Sequence, residues 1–82
     1  MAKNSALHFD IDTKKLRGRI IEMCGTLQNF ADLMGVNNAT VTKKLAGRSA
    51  WDQQEILRAV KVLDLEVADI PGYFFNEKVI AL

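Results

Sequence analysis

Apolar residues recur along this chain at intervals of three and four, in blocks separated by glycine or polar residues. In the first block Leu16, Ile20, Met23 and Cys24 share one face of a helix that Asp12 or Thr13 can cap and Gly25 ends. Gly18 inside it is unfavourable by about 1 kcal/mol relative to alanine, which asks for compensating packing or a close approach there. A second block, Leu27, Phe30, Ala31, Leu33 and Met34, follows Thr26 as N-cap and stops at Gly35, where a left-handed cap favours glycine. The third helix starts at Asn37, with Val36 and Val41 in hydrophobic-staple positions, and runs to Ala46 before Gly47. Asp52 and Glu55 form a capping box for a fourth helix, flanked by Trp51 and Ile56, with Ile56, Leu57, Val60 and Leu63 as its core face. Leu65 to Ile70 fits one or two further turns, and Pro71 and Gly72 are expected to stop them.

Both ends of the chain read differently. Leu7, Phe9 and Ile11 alternate with His8 and Asp10, the period of a short extended segment with one buried face. Tyr73, Phe74, Phe75, Val79, Ile80 and Leu82 are too apolar for a free terminus. They are expected to pack on Leu7 to Ile11 as a small sheet, or on a second subunit. The second option is preferred, because a dimer would add stability to a small core.

The stretch from Thr26 to Gly47 stands out. Its second helix buries only Val41 and Leu45 and leaves Asn38, Ala39, Thr42, Lys43 and Ala46 outward. Small and hydrogen-bonding residues on that face, in place of salt-bridging Glu and Lys pairs, suit contact with another molecule. Two short helices joined at Gly35 predict a helix-turn-helix whose second helix enters the major groove of DNA.

Composition limits the alternatives. Eighty-two residues, 49% of them hydrophobic, make one domain with one core. Cys24 is alone and cannot form a disulfide within the chain, and His8 has no metal co-ligand in its pattern. No run nears the roughly 20 apolar residues of a membrane span, and the N-terminus lacks a signal-like apolar region, so a cytoplasmic protein is expected. A net charge of +1 conceals an uneven distribution: +4 over residues 1–49 and −3 over residues 50–82. One end of the molecule would thus face phosphates and the other avoid them. Paired carboxylates, a P-loop and a zinc-binding H-E-x-x-H are all missing, so no enzymatic activity, metal or cofactor is expected.

Phe30, Ala31, Gly35, Val36, Val41, Leu45 and Gly47 form a pattern that resembles the Cro/CI repressors of the XRE superfamily, and its setting is similar to small regulators from phages of Gram-positive hosts. The resemblance spans about Leu16 to Ile70. It implies an all-α, five-helix, lambda-repressor-like helix-turn-helix domain over residues 12–70, between an extended segment (1–11) and an apolar tail (71–82), with room for a short β element from the two termini. It also implies a homodimeric regulator on a double-stranded DNA operator, with no membrane or small-molecule ligand. Asn37, Asn38, Ala39, Thr42 and Lys43 would meet base edges, chemistry that suits asparagine on adenine and lysine on guanine. Thr26, Gln28, Asn29, Lys44, Arg48 and Arg19 would meet phosphates. The family's glutamine at the first position of the second helix is replaced here by Leu27, leaving Gln28 or Asn29 to serve. The competing reading is a protein-interaction module, such as an antirepressor or antitoxin, that keeps the fold.

Overall fold

Four of the described helices start where a side chain satisfies a free N–H group of the first turn. In the computed structural model, which describes residues 10–77, the helices are α1 (Lys14–Cys24), α2 (Leu27–Met34), α3 (Asn38–Leu45), α4 (Gln53–Val62) and α5 (Ile70–Phe74), with a 3-10 turn at Val67–Asp69 before the last. Thr26 accepts a hydrogen bond from the Asn29 N–H, and Asn37 accepts one from the Thr40 N–H. Asp52 and Glu55 bond each other's backbone N–H at 2.8 Å, completing the expected capping box. Over the described residues the chain is all-α with five helices, as expected.

Gly35, at φ 76°, ends α2, and the Val36 N–H returns to the Ala31 carbonyl. Gly47, at φ 81°, does the same for α3, with the Arg48 N–H on the Lys43 carbonyl. A left-handed residue is required at both places, and glycine adopts it without steric penalty.

Phe30, Ala31 and Met34 on α2 sit at the centre of the core, with Leu16 and Ile20 from α1, Val41 and Leu45 from α3, Ala59 from α4 and Leu63 just after it. Burying each large side chain contributes about 1.5–3 kcal/mol. Trp51 closes one end, edge-on to Phe30 and to Phe74 at centroid distances of 6.5 and 5.4 Å. It is thus the packing anchor its place before the capping box suggests.

Several expectations change. Met23, Leu33 and Leu57 are exposed, Leu33 at 63%, because Cys24, Phe30 and Ala59 occupy the inward positions beside them. Pro71 does not stop the last described helix. It lies in the first turn of α5, where a missing N–H costs nothing, so that helix crosses the expected boundary between residues 70 and 71. Phe74 is then buried in the core of its own chain.

Ile11 and Glu77 form an antiparallel bridge, supported by the Asp12 N–H on the Asn76 carbonyl at 2.7 Å. This is the short β element allowed for the two termini. Leu7, His8, Phe9, Val79, Ile80 and Leu82 lie outside the described residues. No helix among the described residues is long and apolar enough to cross a membrane.

Candidate interaction surface on α2 and α3

The outer surface of α2 and α3 follows from which residues the core takes. With Phe30, Ala31 and Met34 inward, Gln28 and Asp32 share an exposed side of α2. With Val41 and Leu45 inward, Ala39, Thr42, Lys43 and Ala46 are exposed along α3.

A chain of hydrogen bonds joins the two helices. Asn38 Nδ2 donates to Gln28 Oε1 at 3.3 Å, and Gln28 Nε2 donates to Asp32 Oδ1 at 2.9 Å. Thr42 Oγ1 donates to Asn38 Oδ1 at 3.1 Å. Gln28, one position beyond Leu27, therefore links α2 to the start of α3. Asn29, the other candidate, turns back to the Cys24 carbonyl. Asn37 holds the Thr40 N–H and hydroxyl with its Oδ1. The opposite end of α3 is held by Thr13, whose hydroxyl donates to the Leu45 carbonyl at 2.9 Å.

Two expected phosphate contacts are engaged elsewhere. Lys44 is only 9% exposed: its ammonium pairs with Glu55 Oε1 at 2.8 Å, donates to the Ala50 carbonyl at 2.8 Å and lies 5.8 Å from the Trp51 ring centroid. The spacing Val41, Lys44, Leu45 carries the signal for this, since residues three and four apart share a helix face. Arg19 donates to the Leu63 and Asp64 carbonyls at 2.9 and 3.0 Å and pairs with Glu22. It therefore caps the end of α4. Thr26 acts as a cap through its hydroxyl.

Among the expected site residues, the exposed Ala39, Lys43 and Arg48 are those whose side chains make no bond among the described residues. Asn38 and Thr42 face the surface as an already bonded pair. Burial pushes the Cys24 thiol above its ordinary range, so a reactive thiolate is disfavoured at neutral pH.

The outer surface of α2 and α3 thus presents bonded amides and hydroxyls, with the Asp32 carboxylate on one side and the Lys43 and Arg48 side chains near the far end of α3. The chain belongs to the family described as "Protein of unknown function (DUF739)", whose model matches residues 9–77. It is similar, at 50% identity, to the modulator of repression (MOR) of the temperate bacteriophage TP901-1 from Lactococcus lactis. The solution structure of that protein superposes with a TM-score of 0.73, covering 85% of this chain and 95% of that one. No protein of curated function matches the chain.

Proposed function

We propose that this chain is a phage regulatory protein that modulates repression by binding a repressor protein through the exposed face of α2 and α3. The observation that carries this reading is the Gln28–Asn38–Thr42 network with Asp32 at its edge. Amides already bonded to one another are poorly placed to read base edges, and a carboxylate beside them repels a phosphate backbone. A protein surface carrying Arg or Lys would find an acceptor in Asp32 and a rigid polar surface beside it. Similarity to a phage modulator of repression supports the same class of activity. The Cro/CI-like arrangement of α2 and α3 would then serve as a scaffold for protein contact.

Direct operator binding is the second reading, favoured by the free Lys43 and Arg48 side chains at the end of α3. A reporter under the phage repressor separates the two. Co-expression of the chain should change repressor-dependent output, and Asp32→Lys should abolish the change while the chain alone retains no duplex from a random pool. If the chain alone enriches one duplex, with Lys43→Ala relaxing specificity and Arg48→Ala lowering affinity for all sequences, direct DNA binding replaces this proposal.

A further inference from the structure

A cleft of about 790 Å³ lies between the α3–α4 connection and the two paired terminal segments. Its size is that of sites that hold a small ligand or several peptide side chains. Trp51, Ile56, Phe74 and Phe75 supply apolar lining, and Phe75 is 60% exposed. Large aromatic groups at a concave surface are typical anchors for a partner's side chain.

The wall formed by residues 46–51 has no regular structure and is nevertheless firmly held. Gly47 closes α3 in the left-handed conformation, and the buried Lys44 ammonium ties the Ala50 carbonyl to Glu55, which is itself bonded to the Asp52 N–H. Such a wall loses little freedom when a ligand binds. Lys44 is fully engaged on the cleft side and offers no charge to a ligand. Arg48, exposed on the lining and unbonded among the described residues, is the cation left to select one. Asp10, the acid on the lining, already has an interaction of its own.

We propose that this cleft is a docking site for an extended peptide segment of a partner protein, which inserts an apolar side chain against Trp51 and Phe75 and places an adjacent carboxylate on Arg48. The charge complementarity of a single free guanidinium beside an aromatic wall selects an acidic-apolar segment over a basic one. This rests on the reading that the chain works through a protein partner, and adds a second contact outside the α2–α3 surface.

Trp51 is the sole tryptophan, so its emission reports on the cleft directly. The full chain is titrated with a blocked hexapeptide carrying phenylalanine next to aspartate, with its lysine-for-aspartate counterpart, and with a short DNA duplex. The acidic peptide should shift Trp51 emission saturably, the basic one about tenfold more weakly. Arg48→Glu should reverse that preference and Phe75→Ala should weaken both peptides, each with far-UV circular dichroism unchanged. No shift by either peptide up to about 1 mM would overturn the proposal, as would a shift produced by DNA alone. Asp32 does not line the cleft, so Asp32→Lys should leave the titration unchanged. A failed titration with intact modulation would therefore remove the cleft and leave the α2–α3 reading standing.

Discussion

Lys44 shows how much a single residue's environment decides. On the sequence it is the second of two adjacent lysines on a helix open to solvent, and the charge suggests a phosphate. In the fold its side chain points the other way, between Trp51 and Glu55. Removing one member of a buried pair leaves the other uncompensated, which typically costs about 3–5 kcal/mol. Here Glu55 keeps its bond from the Asp52 N–H, so Lys44→Met should cost about 3 kcal/mol, the lower end of that range. Adding Glu55→Gln removes the stranded charge, so the double variant should lose less than the two single losses together. Urea unfolding followed by Trp51 fluorescence measures all three. Additive losses would show that the pair does not act as a unit.

At the scale of elements, what was legible depended on how far apart the partners lie. The caps at Thr26, Asn37 and Asp52, and the glycine stops at Gly35 and Gly47, are satisfied within a few residues, and local reading places them correctly. The bonds from Thr13 to Leu45 and from Arg19 to Leu63 cross 32 and 44 positions, and no local pattern encodes them. Pro71 misled because proline both ends helices and starts them; only the packing of Phe74 decides which applies here. Gln28 was legible as a candidate clamp, although its bonds to Asn38 and Asp32 were not. Gly18 poses a question that the structure answers at this scale. A Cβ built there meets nothing within 4 Å, so no neighbour requires glycine, and α1 carries its conformational penalty without local compensation. Gly18→Ala should therefore raise stability by about 1 kcal/mol, read as a higher urea midpoint with an unchanged slope. A lower midpoint would mean that some contact, made by a partner or by residues outside 10–77, needs that space.

For the molecule as a whole, the main question is what the apolar C-terminus completes. Sequence reasoning favours a second subunit, since so small a core leaves a thin margin. The described part of the tail instead closes its own chain: Phe74 is buried beside Trp51, and Asn76 accepts from the Asp12 N–H. The two roles predict different responses to concentration. Where the tail completes the monomer, Phe74→Ala should cost about 3–5 kcal/mol, and the urea midpoints of parent and variant should not move with protein concentration. Where folding is coupled to association, mass action raises the midpoint as concentration rises. Unfolding curves across a hundredfold range of concentration, with light scattering on the same samples, separate the cases. A concentration-dependent parent midpoint together with a dimeric mass would return the tail to a subunit interface, and residues 78–82 would then be the first place to look for it. Constant midpoints would mean that the α2–α3 surface and the cleft both belong to a self-sufficient unit, free to meet a partner of a different sequence.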